Sequence, residues 1–224
     1  MRARINGITV IIILAFALVL VQAVLLQVRR ASALDRNALN ERVIQQQNDY
    51  PRGEILSATG TVLARSIPTK DSFYRYRRSY PLGRLVSGIV GYVSTYYGTG
   101  GLESEYGQYL VAHQQTPTSI TQLLSPVVAE DDVTLTLNVA LQQVAARALD
   151  GRVGAVVALN PKTGSVLALY SNPTFNPIPL TSLNKKIQVA AWREDTTRDV
   201  FGYQPFNNVA TGETYPPGST FKVV

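Results

Sequence analysis

The sequence predicts a membrane-anchored protein with an α+β domain followed by the opening part of an α/β domain. Three observations support this fold class. Residues 8–28 are almost continuously apolar, residues 31–137 mix short strand and helix patterns, and residues 153–170 carry two apolar strand patterns around a turn. The expected parts are a cytoplasmic tip and anchor (1–30), a stalk and α+β pedestal (31–137), and the start of an α/β domain (138–224).

The apolar run at residues 8–28 is predicted to be a transmembrane helix. About 20 helical residues span the ~30 Å of a bilayer core. A cleaved signal peptide is the alternative, because Ala-Ser-Ala at residues 31–33 resembles a cleavage site. The run exceeds the usual apolar region of a signal peptide, and Arg29 and Arg30 separate it from that site, so a retained anchor is favoured. Arginines flank both ends of the run, so charge alone leaves its orientation open.

The pedestal pattern begins after a polar stalk, residues 31–49, whose apolar residues recur at helical spacing. Two short strands are predicted at residues 54–56 and 62–64, joined by a turn at Gly60. Residues 80–110 are rich in Gly, Tyr, Ser and Thr, which predicts loops with a short helix.

Two charged features of the pedestal invite a functional interpretation. Glu103 has the chemistry of a general acid or base, but we interpret it as a structural carboxylate that ties the pedestal together. The basic and aromatic run at residues 73–80 has the composition of a nucleic-acid contact, yet no nucleic acid is expected behind a membrane anchor. We interpret it as a solvated edge strand, with contact to anionic lipid, wall polymer or a partner as the alternative.

The α/β part opens with a strand, a helix and a hairpin. Residues 132–137 alternate apolar and polar, which predicts a half-buried strand. Asn138 is expected to cap a helix that Gly151 ends. Residues 153–159 are continuously apolar and predict a strand buried on both faces, and residues 166–170 predict the strand that returns beside it.

Composition excludes several kinds of site. The 224 residues contain no cysteine, which rules out a disulfide framework, a thiolate zinc site and a cysteine nucleophile. The single histidine, His113, cannot form a metal cluster by itself, and its polar setting argues against a Ser-His-Asp hydrolase. We therefore predict no metal site, and no cofactor is expected because the serine chemistry inferred from residues 215–222 needs none.

The residues that point to chemistry are Ser219 and Lys222, in the string Tyr-Pro-Pro-Gly-Ser-Thr-Phe-Lys at residues 215–222. If this segment opens a helix, the two side chains lie on one face, and the amine can accept the hydroxyl proton. A serine needs such a base to attack an acyl group, and a lysine can serve once burial or a neighbouring cation lowers its pKa and keeps it neutral. We predict both residues to be catalytic, with an ordinary helix cap as the alternative for Ser219.

The S-x-x-K spacing also occurs at Ser182 and Lys185, which serves as an internal control. Nothing around this copy indicates chemistry, so we interpret it as a polar loop or a helix start. The hypothesis for Ser219 therefore depends on its context, Tyr-Pro-Pro-Gly before the serine and Thr-Phe after it, and not on the spacing alone.

The string at residues 215–222 resembles the active-site serine motif of the penicillin-binding proteins. Residues 52–64 resemble the first conserved box of the class B members, Gly-Leu-Glu at residues 101–103 resembles an element of their pedestal, and residues 154–169 resemble the opening hairpin of their transpeptidase domain. Ser57 departs from the family, which commonly has Asp there. We expect this change to alter a turn hydrogen bond and no chemistry.

Two strings in the chain match family motifs in sequence but differ from them in position. Lys-Thr-Gly at residues 162–164 and Ser-Leu-Asn at residues 182–184 match the family's K-T-G and S-x-N, but in the family both motifs follow the serine. We interpret the first as a hairpin turn and the second as a coincidence of spelling. The functional copies are expected beyond residue 224, so the chain is expected to be the N-terminal part of a longer protein with an incomplete transpeptidase domain.

The resemblance implies a peptidoglycan D,D-transpeptidase, with actinobacterial division-type members most similar. It makes Ser219 the nucleophile, Lys222 the base and the backbone N–H of Ser219 part of an oxyanion hole. The implied partners are peptidoglycan stem peptides, β-lactams, the cytoplasmic membrane, and a polytopic glycan polymerase or other division proteins. The bulk of the chain is expected outside the cytoplasm.

Two other functions stay open. One is another S-x-x-K serine acyl-transferase, namely a carboxypeptidase, a β-lactamase or an antibiotic sensor. The other is a non-enzymatic, membrane-anchored scaffold of the division or elongation machinery. The isolated 224-residue chain is expected to be inert, and the residues beyond Gly151 to be poorly folded, because a lone hairpin has no sheet to pack against.

Overall fold

The computed structural model describes residues 12–22, 50–71, 74–111, 113–114, 128–199, 202–214, 216 and 218–223. The chain divides into two units, Met1–Val43 and Ile44–Val224. In the first unit, residues 12–22 are helical. No helix within the described ranges is both long and apolar enough to span a bilayer. The remainder of the anchor expected at residues 8–28, and the whole of the expected stalk at residues 31–49, lie outside the described residues.

The second unit contains short strands and helices in alternation. Its strands are β1 (Ile55–Leu56), β2 (Val62–Pro68), β3 (Tyr76–Ser79), β4 (Tyr92–Ser94), β5 (Gly98–Gly100), β6 (His113–Gln114), β7 (Val128–Ala129), β8 (Val133–Thr134), β9 (Gly154–Leu159) and β10 (Val166–Asn172). Its α-helices are α1 (Ser87–Val90), α2 (Leu102–Glu105), α3 (Gly107–Leu110), α4 (Val139–Leu149), α5 (Lys185–Thr196) and α6 (Val209–Gly212). Single 3₁₀ turns occupy Gly83–Leu85 and Pro179–Thr181, and a six-residue 3₁₀ helix, called the serine turn below, occupies Gly218–Val223.

The pedestal is built on a four-stranded sheet with the order β3-β2-β1-β8. Strand β1 is antiparallel to β2 and parallel to β8, so Ile55 pairs with both Ala64 and Val133. The strands predicted around Gly60 are confirmed, and Gly60 has the positive φ of +77° that their connecting turn requires. The Ser57 hydroxyl accepts the Thr61 backbone N–H at 3.0 Å, so the residue that departs from the family does make a turn hydrogen bond.

The pedestal core packs the sheet against the short helices that follow it. Its fully buried side chains include Ile55 and Leu63 from the sheet, Val90 from α1 and Leu110 from α3. Burying side chains of this size contributes about 1.5–3 kcal/mol each before the entropy cost of ordering them. Apolar burial therefore accounts for most of the stability of a domain whose strands are only two to seven residues long.

A buried ionic network crosses this core. Glu103, at 0 % exposure, accepts hydrogen bonds from Arg52 Nε at 3.2 Å and from Arg78 Nε at 2.6 Å. The Tyr80 hydroxyl donates to the same carboxylate at 3.4 Å. Burial, and then the Glu103 charge, raise the pKa of Tyr80 well above its ordinary value, which keeps the phenol protonated as a donor. Glu103 is therefore a structural carboxylate, as its sequence context predicted.

The expectation that the basic run is a solvated edge strand is half wrong. Strand β3 does lie at the edge of the sheet, next to β2. However, Arg78 is only 3 % exposed, because strand alternation turns it inward while Arg77 faces solvent. Its guanidinium also donates to the Arg52 carbonyl oxygen at 3.1 Å. One member of the run is thus part of the core, and composition alone gave no sign of which one.

The α/β part begins with α4, which Asn138 caps by accepting the Leu141 backbone N–H at 3.1 Å. Helix α4 packs against the β9–β10 hairpin, and α6 contacts both strands as well. The hairpin forms a sheet of only two strands, as expected, but these two helices pack against it. The expectation that its first strand is buried on both faces is wrong: β9 alternates half-buried and exposed residues, and Val157 is 47 % exposed.

An aromatic cluster joins the α/β part to the pedestal. Tyr92 of β4 contacts three rings from the later part of the chain, at centroid distances of 5.9, 5.9 and 5.3 Å to Phe175, Trp192 and Phe206. Tyr97 stacks on Trp192 with centroids 4.1 Å apart and planes 6° from parallel. Such pairs add about 0.5–1.5 kcal/mol each beyond their buried area.

We predict that Glu103→Ala destabilises the protein strongly, by about 3–5 kcal/mol, because it leaves two buried guanidinium groups without a counter-charge. The measurement is the free energy of unfolding in urea. Glu105→Ala is the matched control on the same short helix: Glu105 is exposed, and its replacement should change that free energy by less than about 0.5 kcal/mol. Equal effects at the two positions would contradict the structural role of Glu103.

Candidate active site

The predicted catalytic pair lies in the 3₁₀ turn Gly218–Val223. In a 3₁₀ helix, residues i and i+3 eclipse one another, so the turn brings Ser219 and Lys222 to the same side, as the expected α-helix would have done. Both residues are exposed. Gly218 enters the turn with φ +54°, a conformation that glycine adopts without strain. Tyr215 and Pro217, which belong to the predicted motif, lie outside the described residues.

The second S-x-x-K copy has a structural explanation. Ser182 ends the 3₁₀ turn Pro179–Thr181, and its hydroxyl accepts the Asn184 backbone N–H at 3.1 Å. The Lys185 ammonium lies 4.1 Å from the centre of the Tyr96 ring, a cation–π contact. The hydroxyl and the amine thus have separate partners. The interpretation of this copy as a loop leading into a helix is confirmed.

The Lys-Thr-Gly sequence at residues 162–164 is the tip of the β9–β10 hairpin. Asn160 accepts the Lys162 backbone N–H through its side-chain oxygen at 2.9 Å, and Gly164 has φ +73°. All three residues of this sequence are exposed. The interpretation as a turn that only spells the family motif is confirmed.

Three buried or half-buried carboxamides join the α/β part to the pedestal. Gln142 of α4 donates to the Leu85 carbonyl oxygen at 2.9 Å and to the Leu169 carbonyl oxygen at 2.8 Å. Gln188 of α5 donates to the Thr95 hydroxyl at 2.8 Å and accepts from the Ser94 hydroxyl. The third carboxamide belongs to Asn208, which donates to the Gly88 carbonyl oxygen at 2.8 Å.

The sequence did not predict the contacts of these three amides. Only the helix-capping role of Asn208 follows a local pattern, which Asn138 and Asn184 share. Asn138, Asn184 and Asn208 each precede a helix, and each accepts a backbone N–H of the first turn. That capping role is readable from a sequence. The contact of Asn208 with Gly88 is not, because 120 residues separate the two.

Known proteins match this chain in two consecutive segments. The family described as the penicillin binding protein A dimerisation domain matches residues 52–133, which is the pedestal. The penicillin binding protein transpeptidase domain matches residues 154–224, which contain the hairpin, α5, α6 and the serine turn. The chain belongs to the penicillin-binding proteins and combines a dimerisation domain with part of a transpeptidase domain.

Individual relatives agree with this assignment. The peptidoglycan D,D-transpeptidase PbpA of Mycobacterium tuberculosis is 33 % identical over 233 aligned residues, which cover all of this chain and 46 % of the relative. The peptidoglycan D,D-transpeptidase MrdA of Acinetobacter baumannii is 32 % identical over 75 % of this chain and 29 % of its own length. This chain thus spans about half the length of its PbpA relatives.

The fold matches as well. The penicillin G acyl-enzyme complex of M. tuberculosis penicillin-binding protein A superposes with a TM-score of 0.66 at 33 % identity. The match covers 77 % of this chain and 40 % of that one. The crystal structure of the same mycobacterial protein gives a TM-score of 0.64 at 31 % identity, over 79 % of this chain and 40 % of that one.

A buried carboxyl group lies beside the contact between α5 and the pedestal. Asp195 is 4 % exposed, and burial, reinforced by the neighbouring Glu194 charge, raises its pKa to about 6. The guanidinium of Arg84, on the pedestal, opposes that shift. In the folded protein Asp195 therefore binds a proton at a pH where the unfolded chain has lost it.

We predict that stability falls as pH rises from about 4 to about 6, because over that range the folded state binds more protons at Asp195 than the unfolded state. Asp195→Asn should flatten this part of the profile and stabilise the protein at pH 7 by up to about 3 kcal/mol. The measurement is the unfolding free energy against pH. Glu105→Gln, an exposed control, should keep the wild-type slope; a slope unchanged in Asp195→Asn would contradict the assignment.

Proposed function

We propose that the intact protein is a serine-type peptidoglycan D,D-transpeptidase, with Ser219 as its nucleophile and Lys222 as the base that activates it. The observation that carries this proposal is the placement of Ser219 and Lys222 on one side of a single turn, within the string at residues 215–222. The match of residues 154–224 to a transpeptidase domain supports it, as do relatives whose names state D,D-transpeptidase activity.

In the proposed reaction, the Ser219 hydroxyl oxygen attacks the carbonyl carbon of the D-Ala–D-Ala bond in a donor stem peptide. Lys222 takes the hydroxyl proton, and the backbone N–H of Ser219 donates to the developing oxyanion. The peptide C–N bond then breaks, and the terminal D-Ala leaves with a proton. The amine of an acceptor stem peptide attacks the acyl-serine ester, which releases Ser219 and forms the cross-link.

A β-lactam reacts with Ser219 in the same way as the donor peptide does in the first half of this reaction, the acylation step. Its ring amide is opened by Ser219, and the leaving nitrogen stays tethered to the acyl group. The acyl-enzyme structure of the mycobacterial relative with penicillin G supports the proposal that this chain's Ser219 is acylated in the same way.

The remaining parts of the proposal concern location and partners. We assign residues 1–30 to a cytoplasmic tip and a single membrane anchor, residues 31–137 to the stalk and pedestal, and residues 138–224 to the transpeptidase domain. The apolar run at residues 8–28 supports the anchor. This arrangement leaves the bulk of the chain outside the cytoplasm, where stem peptides and β-lactams are available. The pedestal is then free to contact a polytopic glycan polymerase or other division proteins.

We predict that a fluorescent penicillin labels the intact protein and that Ser219→Ala abolishes the labelling. Ser182→Ala is the matched control, because it removes the serine of the other S-x-x-K copy, and it should label like wild type. The measurement is in-gel fluorescence together with mass spectrometry of the labelled peptide. Label on a residue other than Ser219 would refute the proposed nucleophile, and rapid loss of the label by hydrolysis would favour a β-lactamase.

We predict that Lys222→Arg lowers the acylation rate by about 10²–10⁴-fold, because a guanidinium does not give up its proton and cannot act as a base. Lys185→Arg should leave the rate within about twofold, since an arginine also stacks on the Tyr96 ring. The measurement is the second-order rate constant of acylation. Wild-type acylation by Lys222→Arg would remove Lys222 from the mechanism.

A further inference from the structure

The short helix before the serine turn is fastened to the pedestal through one side chain. Asn208 caps α6 by accepting the Ala210 backbone N–H through its side-chain oxygen at 3.0 Å. The nitrogen of the same amide donates to the Gly88 carbonyl oxygen, in pedestal helix α1, at 2.8 Å. This carboxamide thus caps α6 and bonds its start to the pedestal, two residues after Phe206, whose ring centroid lies 5.3 Å from that of Tyr92 in the pedestal.

Val209, the residue after Asn208, is bonded to a strand of the α/β part. The Val209 backbone N–H donates to the Ser171 hydroxyl of β10 at 2.8 Å, and both residues are buried, at 1 % and 5 % exposure. Free backbone N–H groups of a first helical turn need partners when they are buried. Here one partner is the capping amide and the other is a strand of the α/β part, so the start of α6 has a defined position relative to both parts.

The fit against the pedestal is close. A Cβ added at Gly88 would lie 3.4 Å from the Asn208 side-chain nitrogen. A residue with a Cβ at this position would be in van der Waals contact with the Asn208 amide. From Asn208 the chain runs only eleven residues to Ser219. Among the described residues in that interval, those after α6 are half-buried or exposed, so α6 is the last buried anchor before the serine.

We propose that Asn208 is a positioning residue, which ties the serine-bearing segment to the pedestal at Gly88 and thereby sets the position of Ser219. The inference rests on the proposed role of Ser219 as the nucleophile. It gives the non-catalytic pedestal a direct influence on the reaction, transmitted through one amide hydrogen bond and a short helix. A displacement of the nucleophile by about 1 Å can cost up to roughly 10²-fold in rate.

Two substitutions distinguish the hydrogen bond of Asn208 to Gly88 from its role in capping α6. Asn208→Asp keeps an oxygen that caps α6, since Asp and Asn cap helices about equally well. It removes the N–H that donates to Gly88 and sets a carboxylate against that carbonyl oxygen. Asn208→Ala removes both functions. Asn184→Asp and Asn184→Ala are the matched controls: Asn184 also caps a helix through its side-chain oxygen, accepting the Lys186 backbone N–H at 2.9 Å, but it is exposed and has no bond to the pedestal in the described structure.

The experiment measures acylation of the intact protein by fluorescent penicillin and resolves the non-covalent dissociation constant from the acylation rate constant. We expect Asn208→Asp and Asn208→Ala to lower the acylation rate constant about tenfold while the dissociation constant changes less than about twofold. Hydrogen exchange should accelerate at the amides of residues 209–212 and stay unchanged at Leu63 and Val90 in the pedestal core. Both Asn184 variants should acylate at the wild-type rate.

Three results would overturn the inference. Wild-type acylation by Asn208→Asp would show that the Gly88 bond does not position the serine. An equal loss in the Asn184 variants would indicate general destabilisation instead of positioning. Absence of acylation at Ser219 in the wild-type protein would remove the proposed function itself, and this inference with it. The wild-type result therefore tests the proposed function, and the comparison between the two asparagines tests the inference.

Discussion

The pedestal depends on one buried carboxylate that forms ion pairs with two buried arginines. Glu103 holds Arg52, at the start of the pedestal, and Arg78, on the edge strand, within 3.2 and 2.6 Å. Burial lowers the pKa of Arg52 from its ordinary value, and the Glu103 charge opposes this shift. An ion triad of this kind adds less stability than apolar packing, but it allows one arrangement of the three segments and penalises the others.

In the α/β part, neutral carboxamides, and not charged groups, fix the arrangement of the segments. Gln142, Gln188 and Asn208 each place a carboxamide between the two parts, where it donates and accepts at once. A neutral amide costs less to bury than a charge, and it is satisfied by the backbone carbonyls and hydroxyls that a short-stranded pedestal exposes. Together with the stacking of Tyr97 on Trp192, these bonds join α4, α5 and α6 to the pedestal.

This packing relates the catalytic proposal to the fold. In the proposal, α6 positions the turn that carries Ser219, and α6 is itself bonded to pedestal helix α1 through Asn208. Helix α1 is thus linked to the start of α6 although the two are far apart in sequence. The arrangement offers a physical route by which an event at the pedestal alters acylation.

The sequence by itself determined the local turns and helix caps and the family to which the chain belongs. Gly60, Asn138 and the hairpin tip at residues 162–164 act through their own backbone neighbours, so their roles were readable in order along the chain. The same holds for the interpretation of Ser182 and Lys185 as loop and helix start. Only the tertiary structure decided which arginine of the basic run is buried, that β9 has an open face, and that Asn208 reaches Gly88. The Arg78–Glu103 and Asn208–Gly88 bonds join residues 25 and 120 positions apart, which no local pattern encodes.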